Sequence, residues 1–176
     1  MSVYKKEKPQ YLREALESVI NQSLQPDEIV LVEDGLLTDE LENIVKQFED
    51  KINGESNQSE DEKLGQPFLK LKVIRLPQNR KLGLALAEGL RYCTNELVAR
   101  MDTDDIAEPD RFEIQYRYMS EHQEIAVSGG LMEEFDPADA DYRKIKNMPT
   151  EKVAIARYSR YRNPVNHMTI MFRKTK

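Results

Sequence analysis

The sequence predicts an α/β fold in which helices flank a mostly parallel central sheet. Apolar residues at helical spacing alternate along the chain with short, almost wholly apolar runs, and acidic turns follow two of these runs. Alternation of this kind favours parallel strands that are joined by right-handed crossovers. Ligands of such sheets bind beyond the carboxyl ends of the strands. We therefore expect both acidic turns to lie at the edge of the sheet where ligands bind.

The first half of the chain predicts two helices around one strand. The first helix begins at Pro9, a residue that a first helical turn tolerates, and its apolar face comprises Leu12, Ala15, Leu16, Val19 and Ile20. Residues 28–32 predict a strand that is covered on both faces and ends in the acidic turn Glu33-Asp34. Thr38 is expected to cap the second helix, whose buried stripe comprises Leu41, Ile44, Val45 and Phe48.

A polar stretch separates these elements from the rest of the chain. Residues 53–67 lack periodicity and predict a surface loop, and residues 68–76 predict the next strand. A helix follows with Leu82, Leu86, Leu90 and Cys93 on one side, and residues 96–101 predict another short strand. The last segment, residues 166–176, also has the pattern of a strand.

Composition excludes several classes of protein. Cys93 is the single cysteine, so a disulfide framework and a cysteine-rich metal site are excluded. The net charge of −6 argues against bulk nucleic-acid binding, which needs a basic face. No stretch approaches the roughly 20 apolar residues that span a bilayer, and the N-terminus lacks the apolar core of a signal peptide. A cytoplasmic protein is the expectation.

The second acidic turn crowds three carboxylates together, at Asp102, Asp104 and Asp105. Neighbouring carboxylates repel each other, and a cation would offset that repulsion. Mg²⁺ and Mn²⁺ take one or two carboxylates together with phosphate oxygens and water, so an Asp-x-Asp turn suits either ion. An alternative stays open for Asp105, Glu108 and Asp110, because acids near a helix N-terminus commonly cap it.

Four segments, in this order, resemble the inverting glycosyltransferases of family 2, which have the Rossmann-like GT-A fold. The opening resemblance is "SVYKKEKPQYLREALESVINQSLQPDEIVLVEDGL", with a Tyr after a strand, an SV-x-x-Q helix end and an acidic turn. "LPQNRKLGLALAEGL" is similar to the family's N-x-G-L-G-x-A-x-N-x-G segment, and "ARMDTDDIAEPDRF" to its A-R-M-D-A-D-D-x-x-x-P-D-R segment. "NPVNHMTIMFRK" is similar to a segment that precedes the last catalytic motif.

The resemblance implies a role for each matching residue. Residues at the end of the first strand contact the nucleotide, and here they are Ser2, Val3 and Tyr4. Asp34, with Glu33 beside it, binds the base of the nucleotide, and Asp102 contacts the ribose side. The metal, Mn²⁺ or Mg²⁺, is bound by Asp102 and by Asp104 or Asp105, of which Asp104 is preferred. The resemblance implies one GT-A-like domain over residues 1–176, with a nucleotide-binding half at 1–105 and the start of an acceptor-binding half at 106–176.

Two departures from the family pattern bear on the chemistry. Lys81 replaces a usual glycine, and it either contacts donor phosphate, as a nucleotide-binding residue, or points to solvent. Inverting transfer needs a general base to deprotonate the acceptor hydroxyl. The family's acidic base motif has no match before residue 176, so we expect a fragment that lacks part of the first strand and the C-terminal catalytic segment. Glu133 and Glu134 are the substitutes in sequence, although charges on an exposed strand explain them more simply.

The predicted function is transfer of a sugar from a nucleotide-diphosphate donor, UDP-sugar by family habit, to a saccharide or lipid-linked acceptor. The pathway would be polysaccharide or glycolipid biosynthesis, and the full-length protein could associate peripherally with a membrane. A sugar-phosphate nucleotidyltransferase is an alternative, but "SVYKKEKPQ" lacks the glycine-rich loop it needs. A non-catalytic nucleotide-sugar-binding module and a phosphatase of the Asp-x-Asp-x-Thr type are the remaining alternatives. The donor sugar, the acceptor and the oligomeric state are not predicted.

Overall fold

The computed structural model describes residues 1–55, 69–136 and 138–174. Its backbone divides into two units, one formed by Met1–Asn95 with Asp102–Ile114 and the other by Glu96–Met101 with Gln115–Lys176. We call them the first unit and the second unit. Mixed α/β architecture with helices around a parallel sheet confirms the predicted fold class.

The first unit contains a parallel sheet of three strands in the order β1-β2-β3. Its elements are β1 (Ser2–Val3), α1 (Pro9–Ile20), β2 (Glu28–Glu33), α2 (Asp39–Glu55), β3 (Lys70–Arg75) and α3 (Lys81–Leu90). Ser2 pairs with Val32 and Val3 with Glu33, while Glu28 to Glu33 pair in register with Lys70 to Arg75. The last five residues of β2, Ile29 to Glu33, are all buried, as a strand covered on both faces requires.

The helices of the first unit bury the faces that their spacing predicts, with one exception. All five predicted apolar residues of α1 are buried, and Thr38 caps α2 through a 3.4 Å hydrogen bond from the backbone N–H of Leu41. The exception is α3, in which Leu82 and Leu84 are about half exposed and the buried residues are Ala85 and Gly89. Small residues let this helix approach β2 closely, and an apolar count cannot reveal that preference.

The predicted loop at residues 53–67 begins later than expected. Residues 53–55 belong to α2, and the side chain of Asn53 both donates to and accepts from the backbone of Leu71 at 3.1 Å. These two hydrogen bonds join the helix to β3 and extend it beyond its apolar stripe. The remainder of the predicted loop, residues 56–67, lies outside the described residues.

The second unit is built from antiparallel strands. It contains β4 (Leu97–Ala99), α4 from Gln115 onward (helix bounds Arg111–Glu121), β5 (Val127–Ser128), β6 (Met132–Asp136), β7 (Asp139–Lys146), α5 (Lys152–Tyr158) and β8 (Met171–Arg173). β8 pairs antiparallel with both β4 and β5, and β6 pairs antiparallel with β7. The strand pattern of β4 was predicted, but its antiparallel partner lies more than 70 residues along the chain and leaves no local signal.

Polar contacts of a buried arginine join β8 to the segments around it in the second unit. Arg173 is 4% exposed and donates to the carbonyls of Ile125 and Met119 and to the carboxylate of Glu96. Among the described residues, no helix combines the length and apolar character that crossing a bilayer requires.

Candidate nucleotide and metal site

The end of β1 is joined to both acidic turns within the first unit. The carbonyl of Val3 accepts a hydrogen bond from the backbone N–H of Asp34 at 2.8 Å. The carbonyl of Ser2 accepts from the hydroxyl of Thr103 at 3.1 Å. Successive carbonyls of a strand point in opposite directions. The Asp34 turn and the Asp102–Asp105 turn therefore approach the end of β1 from opposite sides.

Asp34 is held rigidly at the end of β2. Its side chain is 4% exposed, and Oδ1 accepts the backbone N–H of Arg80 at 2.6 Å. The amide of Asn79 donates to the Asp34 carbonyl at 3.1 Å. Gly35 follows with φ of +86°, and a Cβ there would lie 2.7 Å from the backbone nitrogen of Asn79. Glycine is required at this turn because both the dihedral angle and the close approach exclude a side chain.

Glu33 contacts a different part of the first unit. Its Oε2 lies 3.4 Å from Nε of Arg75, which in turn donates from Nη2 to Glu49 at 2.8 Å. Burial raises the pKa of Glu33, while the Arg75 guanidinium opposes that rise. Neighbouring residues of an extended chain point to opposite faces, so Glu33 and Asp34 face different surroundings. Glu33 lines an open cleft that residues of α2 and β3 also line. Its predicted part in nucleotide binding beside Asp34 stays a prediction.

The Asp102–Asp105 turn distributes its side chains unequally. Thr103 is 3% exposed, Asp104 is exposed, and Asp102 and Asp105 are half-buried. Burial lowers the pKa of Arg111 to about 10, and the negative charge of Asp105 acts against that decrease. The negative charge of Asp105 thus acts on the half-buried Arg111, whereas Asp104 is the solvent-facing acid of the pair.

The acids of this turn suit a divalent cation whose coordination shell is completed by a phosphate ligand. Asp102 and Asp104 supply the hard oxygen ligands that Mg²⁺ and Mn²⁺ prefer. Among the described residues, no group of three or more His, Cys, Asp or Glu side chains is placed to hold a metal ion. One or two carboxylates with phosphate oxygens and water are the usual ligands of Mg²⁺ in enzymes. The residues therefore fit a metal bound together with a diphosphate.

The segment after the acidic turn is fastened to the end of α1. The side-chain amide of Gln22 donates to the Glu108 carbonyl at 2.7 Å and accepts the backbone N–H of Phe112 at 3.0 Å. Ser18 accepts the backbone N–H of Ala107 at 3.1 Å. A hydrogen-bond acceptor at the start of α4 thus comes from Gln22, where the sequence offered acidic residues as caps. The SV-x-x-Q pattern contained both Ser18 and Gln22, but their partners could not be inferred.

Tyr4 and Lys81 have exposed side chains in the first unit. Tyr4 is 43% exposed, directly after β1. Lys81 begins α3 with φ of +67°, and its backbone N–H donates to Oδ1 of Asn79 at 3.2 Å. Lys81 directly follows Arg80, whose backbone N–H donates a hydrogen bond to Oδ1 of Asp34. This chain connection places the start of α3 beside the Asp34 turn.

Glu133 and Glu134 lie on β6 of the second unit and are paired with bases of β7. Glu133 accepts from Arg143 at 2.9 Å, and Glu134 forms an ion pair with Lys146. These are cross-strand charge pairs of an antiparallel hairpin. They support the alternative in which both acids are charges on an exposed strand.

Residues 1–175 match the family model described as Glycosyl transferase family 2. The chain belongs to glycosyl transferase family 2. This membership agrees with the resemblance and with the parallel sheet of the first unit. It favours a glycosyltransferase over the nucleotidyltransferase and phosphatase alternatives.

Two curated relatives show how similar the chain is to known proteins. The chain is 39% identical to the amylovoran biosynthesis glycosyltransferase AmsE of Erwinia amylovora, over 100% of the chain and 59% of AmsE. It is 32% identical to an Escherichia coli UDP-Gal:alpha-D-GlcNAc-diphosphoundecaprenol beta-1,3-galactosyltransferase, over 99% of the chain and 57% of that protein. The chain thus spans less than two thirds of the length of these relatives.

A solved structure supports the fold of this family 2 chain. The mannosyltransferase PcManGT of Pyrobaculum calidifontis, in complex with GDP-Man and Mn²⁺, has a TM-score of 0.63 at 17% identity. The match covers 99% of the chain and 44% of the mannosyltransferase. At this level of identity the similarity concerns the fold alone.

Proposed function

We propose that this chain supplies the donor-binding part of a glycosyltransferase that transfers a sugar, with inversion, from a nucleotide diphosphate to a saccharide or lipid-linked acceptor. The observation that carries the proposal is the convergence of Asp34 and the Asp102–Asp105 turn on the end of β1, through the Val3 and Ser2 carbonyls. Ligands of α/β folds bind beyond the carboxyl ends of parallel strands, and both acidic turns contact the chain at the carboxyl end of β1.

Each residue at this edge receives a role in the proposal. Ser2, Val3 and the exposed ring of Tyr4 contact the nucleoside, and Asp34 accepts hydrogen bonds from the base. The clamping of Asp34 by the backbone of Arg80 fixes that acceptor before the ligand arrives, which reduces the entropy lost on binding. Asp102 contacts the ribose, and the ammonium group of Lys81 contacts the donor diphosphate.

Asp104, with Asp102, would hold Mn²⁺ or Mg²⁺ against the donor diphosphate. Bound there, the ion would offset the negative charge of the departing nucleotide diphosphate. Asp105 is assigned to Arg111 because the two groups influence each other electrostatically and Asp104 is the more exposed acid. The general base is assigned neither to Glu133 nor to Glu134, since both are engaged with bases of β7.

The identities of the donor, the acceptor and the metal are proposed from the relatives. A UDP-sugar donor and a lipid-linked acceptor are favoured because the galactosyltransferase relative carries both in its name. Mn²⁺ is favoured because the mannosyltransferase of similar fold was solved with it. A lipid-linked acceptor would bring the full-length protein to a membrane surface by peripheral association, and a cytoplasmic location is part of the proposal.

The test measures thermal unfolding with UDP or GDP, with and without Mn²⁺. A ligand that binds the native state alone raises Tm, and a ligand at about 100 times its Kd contributes roughly 2.7 kcal/mol. We expect UDP with Mn²⁺ to raise Tm by several degrees, UDP alone to raise it little, and Asp104→Ala to abolish the metal-dependent part.

Glu108→Gln is the matched control for Asp104→Ala. Glu108 is an exposed acid of the same segment, and its hydrogen bond to Gln22 uses the backbone carbonyl, so the substitution removes one charge and no contact of the turn. It should keep the full response. Equal stabilisation of Asp104→Ala and the parent chain by UDP with Mn²⁺ would refute the metal assignment.

A further inference from the structure

Thr103 is a buried hydroxyl between the two acids assigned to ribose and metal. It is 3% exposed, whereas Asp102 is half-buried and Asp104 is exposed. Its Oγ1 lies 3.1 Å from the carbonyl of Ser2 and 3.1 Å from Oε2 of Glu7. A threonine hydroxyl has a single proton to donate, so the two oxygens share one donor. The hydroxyl is therefore the point at which three separate parts of the chain meet.

Each of the three parts carries a residue of the proposed site. Ser2 lies on β1, its carbonyl points away from β2, and the Thr103 hydroxyl donates to it. Glu7 closes the turn after Tyr4: its backbone N–H donates to the Tyr4 carbonyl at 3.0 Å, and its Oε1 accepts the N–H of Lys8 at 2.9 Å. The remaining oxygen of Glu7 faces Thr103. One carboxylate thus connects the Tyr4 turn with the acidic turn.

We propose that Thr103 and Glu7 are positioning residues that hold the Asp102–Asp104 turn in place for the metal and the diphosphate. The inference rests on the proposed function. Neither side chain is expected to touch the donor, because the Thr103 hydroxyl is occupied by two protein acceptors. They act through the backbone of the turn, as groups behind metal ligands do, and loss of such groups commonly weakens metal binding by 10- to 100-fold, an order-of-magnitude range.

Thr103→Val is the decisive variant because it keeps the branched shape and removes the hydroxyl. The readout is the affinity for Mn²⁺ in the presence of saturating UDP, measured by calorimetric titration or by the paramagnetic resonance of free Mn²⁺. We expect Thr103→Val to lower that affinity by roughly 10-fold or more, and Thr103→Ser, which restores a hydroxyl, to return it to within about threefold of the parent chain.

Glu7→Ala is the second variant and decides the matter where Thr103→Val does not fold. Glu7 is half-exposed, so its truncation leaves no buried cavity, and we expect roughly a 3- to 10-fold loss of Mn²⁺ affinity. Glu17→Ala is its control, because Glu17 is an exposed acid on α1 whose removal changes the net charge equally. It should bind Mn²⁺ with UDP as the parent chain does.

The outcomes separate this inference from the proposed function. Loss of Mn²⁺ affinity in Asp104→Ala with parental affinity in Thr103→Val and Glu7→Ala would overturn the inference alone. A serine variant no better than the valine variant would also overturn it, because the hydroxyl would then not be the active group. Absence of Mn²⁺ binding with UDP in the parent chain would overturn both proposals together.

Discussion

Lys81 is the one non-glycine residue with positive φ among residues 1–55, 69–136 and 138–174. Its φ of 67° costs a side-chain-bearing residue roughly 1–2 kcal/mol, and asparagine or glycine usually occupies such positions. The family-like pattern had marked this position as a glycine replaced by lysine, and the backbone supplies the physical reason for the glycine. The residue therefore carries a conformational cost that a glycine would remove.

Lys81→Gly should raise the free energy of unfolding by about 1 kcal/mol, because relief of the left-handed strain exceeds the added entropy of the unfolded chain. Urea denaturation measures this change, and Lys81→Ala, which keeps the strain, should give no gain. The same glycine variant should bind UDP with Mn²⁺ more weakly if the ammonium contacts the diphosphate. Unchanged UDP affinity would show instead that the lysine points to solvent.

At the scale of single residues, the sequence indicated candidate residues but not the hydrogen-bond and ion-pair partners that those residues have in the structure. Acids that follow predicted strands indicate Asp34, Asp102 and Asp104 as site candidates. The structure joins Asp34 and Thr103, the residue between the other two acids, to the end of β1. Glu33 was grouped with Asp34 by adjacency, yet its side chain reaches Arg75. Gln22 was quoted within a motif without a role, since a hydrogen bond spanning 90 residues has no local signature.

At the scale of elements, α3 shows how packing selects small side chains. A Cβ added at Gly89 would lie 2.7 Å from Cγ2 of Val32, a residue that is fully buried on β2. Gly83 is on the same helix, and a Cβ there meets no heavy atom of the described residues within 4 Å. The two glycines therefore differ in environment although both are helical.

Gly89→Ala should lower the free energy of unfolding by roughly 1–3 kcal/mol, because the added methyl group overpacks the contact with Val32. Gly83→Ala should instead raise it by roughly 0.5–1 kcal/mol through the better helix propensity of alanine. Chemical denaturation of both variants gives the comparison. Equal effects of the two substitutions would contradict the close approach of α3 to β2.

Elements with an apolar stripe were predicted well, and elements defined by distant partners were not. The periodicities of α1 and α2 were sufficient because one face of each helix is buried. The antiparallel pairing of β4 with β8 could not be predicted, because a three-residue strand carries little pattern and its partner is far along the chain. In α3 the buried residues are Ala85 and Gly89 and not Leu82, because the close approach to Val32 selects small side chains over large apolar ones.

At the scale of the whole molecule, the charge of the chain is divided unevenly. The first unit has 14 basic and 23 acidic residues, a net charge of −9, whereas the second unit has 12 basic and 9 acidic residues, a net charge of +3. The overall value of −6 conceals this difference. A unit this acidic repels a nucleotide diphosphate, so the field of the first unit favours a ligand that arrives with a cation.

The free Mn²⁺ concentration that half-saturates the UDP-dependent rise in Tm should therefore depend on ionic strength. We expect it to increase several-fold between about 20 and 300 mM NaCl, because salt screens the attraction of the acidic unit for the ion. Thermal scans over a Mn²⁺ titration at several NaCl concentrations measure it. A half-saturating concentration that does not change with salt would mean that the two carboxylates act without the surrounding field.

The position of β3 in the order β1-β2-β3 leaves it with one strand neighbour among the described residues. A strand at a sheet edge can offer unpaired N–H and C=O groups to another chain, which leads to edge-to-edge aggregation. Lysines at Lys70 and Lys72 flank the buried Leu71, and charged side chains of this type discourage intermolecular pairing. The charged residues of this short strand therefore disfavour pairing of another chain along the β3 edge.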